Sequence, residues 1–262
     1  MKARLVYHSS TGNTNKLAKA IAAAFEDAGW EAELHLVKGF DIELLNDCNL
    51  IGFGTPVFVW KHSEPLQRLF ERLPWNLHKP AFLFATYAGN PAQTFKFMHD
   101  AVVARGMKVV GRFGCIGEES YPILRSIMKD PKADFPDAAE LAKARRFASE
   151  VITGYERYTE NPETFASDDP GLRKEPLYYV SKMMPYGKME RTLGKKQVDH
   201  NKCTVCGTCE DHCPSGCITL DDDGPVFGDG CVGCCACYNL CPEEAITARY
   251  LFNTNRYKGC WD

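Results

Sequence analysis

Over roughly the first 150 residues, short apolar runs alternate with segments of helical period. Lys2–Ser9 reads as a buried strand. Leu17, Ala20, Ile21, Ala24 and Phe25 then fall at i, i+3, i+4, i+7 and i+8, the spacing of one helix face. Gly29 stops that helix. Glu31–Val37 reads as a second strand, Leu50–Thr55 as a third, Ala81–Thr86 as a fourth and Lys108–Ile116 as a fifth. Helices are expected over Pro65–Leu73, Pro91–Arg105 and Asp137–Tyr155; the last turns Leu141, Ala144, Ala148, Val151 and Tyr155 inward. Strands that alternate with helices make a parallel sheet covered on both faces, a doubly wound α/β fold. Ligands of such sheets sit beyond the carboxyl ends of the strands, near the switch in strand order. Residues 9–14, 55–62 and 86–90 are the unusual loops there.

The pattern changes after residue 197. Cys203-x-x-Cys206-x-x-Cys209-x-x-x-Cys213-Pro214 is followed by Cys231-x-x-Cys234-x-x-Cys237-x-x-x-Cys241-Pro242. Each Cys and the Pro recur 28 positions later, and Ile218 and Ile246 keep that offset. This internal duplication has the spacing of bacterial two-cluster ferredoxins, whose fourth Cys ligates the other cluster. Two [4Fe–4S] clusters are therefore expected, one on Cys203, Cys206, Cys209 and Cys241, the other on Cys231, Cys234, Cys237 and Cys213. Zinc in Cys₄ sites also uses Cys-x-x-Cys, but asks for neither a third Cys at the same spacing nor the Cys-Pro. Cys48, Cys115, Cys217 and Cys235 read as small buried residues. Cys217 and Cys235 are also open to a role as substitute ligands or redox-sensitive thiols.

Composition narrows the setting. Thirteen Cys in 262 residues, without an export signal, point to metal in a reducing compartment, so a cytoplasmic location is expected. No run approaches the ~18 apolar residues of a membrane span. The formal net charge of −3 leaves no nucleic-acid footprint. Two thiolate-bound clusters would take the holoprotein to roughly −7.

The loop after the first strand, Ser9-Ser10-Thr11-Gly12-Asn13-Thr14, leads hydroxyl residues and one Gly straight into a helix. Helix N-termini and hydroxyl donors bind anions, and Gly12 permits close backbone approach. No Walker A lysine and no Gly-x-Gly-x-x-Gly is present. A phosphate monoester held by neutral donors fits; a simple N-cap needs fewer such residues. Ser9-x-Thr11-Gly12-Asn13-Thr14 resembles the FMN phosphate loop of flavodoxins. Thr55-Pro56-Val57-Phe58-Val59-Trp60 and Thr86-Tyr87-Ala88-Gly89-Asn90 resemble the two flavin-ring loops. Together with the Cys runs, the chain is similar to flavodoxin–ferredoxin fusion proteins. The resemblance implies a flavodoxin-like doubly wound five-stranded parallel sheet plus a small α+β 2[4Fe–4S] ferredoxin-like domain. It implies FMN held at its phosphate by Ser9, Ser10, Thr11, Gly12, Asn13 and Thr14. Its ring would lie against Pro56, Val57, Phe58 and Trp60 and against Thr86, Tyr87, Ala88 and Gly89. Trp60 suits a surface or interdomain aromatic equally well. The loop 114–119 ends the fifth strand on the same rim and reads as a solvated loop or as one lying near the flavin.

The expected division is 1–155 for the flavin domain, 156–196 for a connector, 197–250 for the cluster domain and 251–262 for a tail packed back on the protein. Prolines punctuate the connector, but Leu177-Tyr178-Tyr179-Val180 and Met183-Met184 are too apolar for a solvated tether, so a short docked helix is expected. Its basic residues Lys182, Lys188, Arg191, Lys195 and Lys196 read as a solvated face or as a dock for an acidic partner. The scattered histidines make no ligand spacing, and no acid–base or nucleophilic constellation stands out; His62 is the one to place near the flavin. The expected function is electron transfer between FMN and two [4Fe–4S] clusters in one chain, and on to a redox protein partner or small acceptor. The alternative is an FMN-dependent reductase of a small oxidised substrate or a nicotinamide, with the clusters as relay.

Overall fold

The computed structural model describes residues 1–128, 132–171, 179–180, 183, 186, 193–251 and 254–261. Five parallel strands form the main sheet: β1 (Lys2–Tyr7), β2 (Glu31–Leu36), β3 (Leu50–Pro56), β4 (Pro80–Tyr87) and β5 (Lys108–Ile116), in the order β2-β1-β3-β4-β5. The strand order reverses between β1 and β3, so the loops after β1, β3 and β4 converge on one rim. Helices α1 (Asn13–Asp27), α2 (Glu64–Arg72), α3 (Thr94–Val103), α4 (Pro122–Ile127) and α5 (Ala138–Glu160) follow in turn.

Each face of the sheet has its own core. Leu5, Tyr7, Phe82 and Phe84 meet Leu17, Ile21 and Phe25 of α1 and Phe147, Ala148 and Val151 of α5. On the other face Val6, Ile51, Phe53 and Leu83 meet Leu66, Leu69 and Phe70 of α2 and Met98 and Val102 of α3. Gly52 and Gly54 of β3 make room for two of these rings. A Cβ at Gly52 would stand 2.3 Å from Phe82 Cζ, and one at Gly54 2.2 Å from Phe84. The strand therefore needs glycine at both positions to keep the aromatic layer.

Residues 196–248 form a smaller unit. β6 (Lys196–Val198) pairs antiparallel with β9 (Ile246–Ala248), and β7 (Ile218–Asp221) with β8 (Gly224–Phe227). Two short helices, α6 (Thr208–Asp211) and α7 (Ala236–Leu240), start at the same 28-residue offset as the cysteines. Their lead-in turns need left-handed backbone at two positions. Val205 and Gly207 supply it in one repeat (φ 53° and 82°), Gly233 and Cys235 in the other (φ 67° and 60°). Cys235 thus occupies the place of Gly207, and its side chain is buried beside Tyr238 and Leu251.

Residues 172–178, 181–182, 184–185 and 187–192 of the connector lie outside the described residues, and with them most of the expected helix and Lys182, Lys188 and Arg191. Among those described, Tyr179, Val180 and Met183 are exposed, and no helix is long and apolar enough to cross a membrane.

Candidate functional site

The loop after β1 folds back on itself before α1 begins. Ser9 Oγ accepts from the amides of Gly12 and Asn15, both at 3.2 Å. Gly12, in the left-handed region at φ 103°, stands at the helix N-cap and accepts from Lys16 N at 2.8 Å. The loop is tied to its neighbours on the rim. Thr14 Oγ1 and Thr86 Oγ1 share a 2.8 Å hydrogen bond, Val57 N donates to Thr86 O at 2.9 Å, and Gly117 N donates to Tyr87 O at 2.9 Å.

Between these loops lies a cavity of about 410 Å³, open to solvent on one side. Ser9, Ser10, Thr11, Asn13, Thr14, Pro56, Val57, Thr86, Tyr87 and Ala88 line it, together with residues 117–120. Ten of the residues expected to hold the flavin are thus brought to one space. Gly12, Phe58, Trp60 and Gly89 are not on its wall: Gly12 faces residue 260, Phe58 stacks on His8, and Trp60 is exposed with φ 64°. The 114–119 loop was expected to be solvated or to lie near the flavin. Glu118 is buried, paired with Arg125, and its carbonyl accepts from Asn13 Nδ2 at 2.8 Å. The signal was its position after β5 on the shared rim. His62 is not at this cavity; its Nε2 meets Gln67 Oε1 at 2.8 Å and Tyr186 Oη at 3.1 Å.

The donor set suits a phosphate monoester. Four hydroxyl side chains at a helix start are buried, and the lining residues include no lysine or arginine. Burial also pushes the Glu119 carboxyl up, which favours its neutral form beside the cavity.

Segment 254–261 covers the outer side of the loop. Cys260 N donates to Thr11 O at 2.8 Å, and Tyr257 Oη and Cys260 Sγ reach Asn13 Oδ1 at 2.7 and 3.2 Å. The approach is close enough that a Cβ at Gly12 would stand 2.4 Å from the Cys260 carbonyl. Spacing gave no hint of this contact.

The eight expected cluster ligands separate into two groups. Cys203, Cys206, Cys209 and Cys241 surround one cavity of about 340 Å³. Cys213, Cys231, Cys234 and Cys237 surround another of about 280 Å³. Each group takes three Cys from one run and the fourth from the other. Four thiols at each pocket are the donor set that an iron–sulfur core takes.

Cys217 is not simply a packing residue. It lines the second cavity and lies 3.5 Å from Cys213 Sγ. Its thiol, followed by other donors, holds both Cys213 and Cys231 below the ordinary thiol range. Lys196 Nζ adds to this at 2.8 Å from Cys231 Sγ. Lys196 is thus turned to the cysteines rather than spread on a basic docking face. In the first group, hydrogen bonds from Thr208 lower Cys206, whereas burial raises Cys209 to about 11.

The sheet order, the rim loops and the paired thiol cavities define a two-part redox protein. The flavodoxin-domain family matches residues 4–128, and the 4Fe-4S binding-domain family matches residues 196–219. An uncharacterized protein of Methanocaldococcus jannaschii is 27% identical over 156 residues, covering 58% of this chain and 99% of that protein. A ferredoxin-like protein in the vnf region of Azotobacter vinelandii is 39% identical over 53 residues, covering 18% of this chain and 82% of that one. A solved flavodoxin from the domain Archaea superposes with a TM-score of 0.46 at 19% identity, over 60% of this chain and 99% of that one. The chain has an N-terminal flavodoxin domain and a C-terminal 4Fe-4S ferredoxin domain. This is the arrangement of a flavodoxin–ferredoxin fusion, and the two domains support an electron-transfer or redox role.

Proposed function

We propose that the chain is an internal electron relay that joins one FMN to two [4Fe–4S] clusters and exchanges electrons with a separate redox partner. The observation that carries this reading is the direct contact between the two halves at their sites. Asn239, two residues past Cys237, donates to Ser120 O on the wall of the flavin cavity at 2.8 Å. When bound, FMN accepts two electrons and each cluster one, which lets a pair of electrons be split into single transfers.

The chain's own residues supply binding and placement. The Ser9, Ser10, Thr11 and Thr14 hydroxyls and the start of α1 donate to the phosphate. Pro56, Val57, Thr86, Tyr87 and Ala88 present backbone groups and flat faces to the ring. Cys203, Cys206, Cys209 and Cys241 hold one cluster; Cys213, Cys231, Cys234 and Cys237 hold the other. Backbone amides of the Cys turns point at the thiolates, as Gly233 N does at Cys231 Sγ and Ala245 N at Cys241 Sγ. Carrying the sites on one chain keeps their effective concentration high and removes the need for a collision.

Protein purified without oxygen is expected to contain about eight iron atoms and about one FMN per chain. It should take up about four electrons on reductive titration. Four irons or fewer would sink the two-cluster assignment. Replacing Thr11 and Thr14 by Val should weaken FMN roughly 10- to 100-fold, through lost hydrogen bonds to a charged group, and leave riboflavin affinity unchanged. Rapid turnover of a nicotinamide or a small oxidant at the flavin, with no protein partner present, would favour the reductase instead.

A further inference from the structure

We infer that the two cysteine groups have different jobs: Cys213, Cys231, Cys234 and Cys237 form the inner site, coupled to the flavin loops, and Cys203, Cys206, Cys209 and Cys241 form the outer site, where the separate partner docks. The inference rests on the relay reading above. Three features set the inner group against the flavin half. Asn239, two residues past Cys237, donates to Ser120 O on the wall of the flavin cavity at 2.8 Å. The Arg68 guanidinium lies 3.8 Å from the Cβ position of Gly230, next to Cys231. Pro214, Ser215 and Gly216, just past Cys213, face Val37, Pro65 and Leu69 across a cleft.

The outer group has a different setting. Its cavity is lined by residues of 203–246 alone. Lys38 reaches this run, but at the carbonyls of Glu210 and Asp211 rather than at the thiols. Cys206 is the one exposed cysteine of the thirteen. Beside it Val205 is 38% exposed. Asp221, Asp222, Asp223, Glu243 and Glu244 are exposed around this end, with Lys202 as a countercharge. A small apolar centre in an acidic rim fits a partner with a basic rim around its own redox centre.

Charge separates the groups further. Lys196 sits on Cys231, and Arg68 and Arg72 line the cleft behind Cys213. Positive charge favours an added electron, so the inner site should reduce first. Each transfer moves one electron, oxidising the donor and reducing the acceptor by one, with no bond made or broken. A low-potential reductant such as dithionite supplies the electron in the test.

The test follows the hyperfine-shifted β-proton NMR lines of the ligating cysteines in the holoprotein, assigned through their sequence neighbours. Removing FMN should move the inner lines and leave the outer ones in place. Substoichiometric dithionite should change the inner lines first. Hexaamminechromium(III), a redox-inert paramagnetic cation, should broaden the outer lines several-fold more than the inner ones. The assignment of jobs is overturned if outer lines follow FMN, if outer lines change first on reduction, or if the cation broadens both sets equally. A protein with half the iron or no FMN would fail the relay reading itself. A fully loaded protein in which the wrong set responds fails this inference alone.

Discussion

The five-strand half buries Phe25, Phe53, Phe70, Phe82 and Phe84 completely, whereas the buried cluster around Ile218 and Ile246 consists otherwise of Cys209, Cys213 and Cys237. The first half owns its core, and its cofactor cavity lies on the rim outside it. The second half has strands of three and four residues, and thiols meant for iron stand where aliphatic side chains would be. On the proposed relay reading, the cofactor of one half is a guest of a finished fold, and that of the other completes it. Small units with few apolar residues commonly need such a metal staple.

The sharpest test of that contrast is removal of iron by an anaerobic chelator. Hydrogen exchange should then show protection lost across β6–β9 while β1–β5 keep theirs. Equal loss in both halves would mean that the sheet leans on the clusters too. The reverse lesion is Phe82→Ala. It should cost the sheet half about 3–5 kcal/mol in chemical denaturation, with iron content unchanged.

Acid should act on the sheet half through two buried histidines. Burial lowers His8 to about 3 and His62 to about 4. Both stay neutral in the fold but take a proton near pH 6.5 when unfolded. Their contribution to stability is therefore present above about pH 6.5 and is lost as pH falls toward 4. At pH 5 the loss should be about 2 kcal/mol for each as an upper figure, and His62→Gln should flatten that limb of the stability–pH curve. The smallest effect expected is that of Asp137→Ala. Asp137 caps α5 by accepting from Glu140 N at 2.8 Å, and losing it should cost about 1 kcal/mol with flavin retention unchanged.

The same contrast governs how far the fold could be read from residues alone. Alternating apolar runs located all five strands; Lys108–Ile116 is the same in expectation and structure. Their signal is strong because parallel strands are buried on both faces. The turn Ile42–Asp47 and helix α4 were missed, since six residues carry little periodicity. The 28-residue repeat announced the paired cysteines, but not that Cys217 would meet Cys213 or that Lys196 would turn to Cys231. Nor did it reveal that Val205 and Cys235 share a strained turn geometry with glycines. Those facts come from tertiary placement, to which spacing is blind. The loop at Ser9–Thr14 was legible because its chemistry is local, whereas residues 117–120 and 254–261 join it only through the fold.

Tyr257 and Cys260 reach Asn13 across 244 and 247 residues of chain. On the ribosome those positions are made long after the loop they cover. The sheet can assemble as a unit once α5 has emerged, while the cysteine repeats are still being synthesised. A growing chain therefore passes through a stage with its phosphate loop formed but uncovered. The cover of that loop by 254–261 arrives only after the cysteine repeats have been translated.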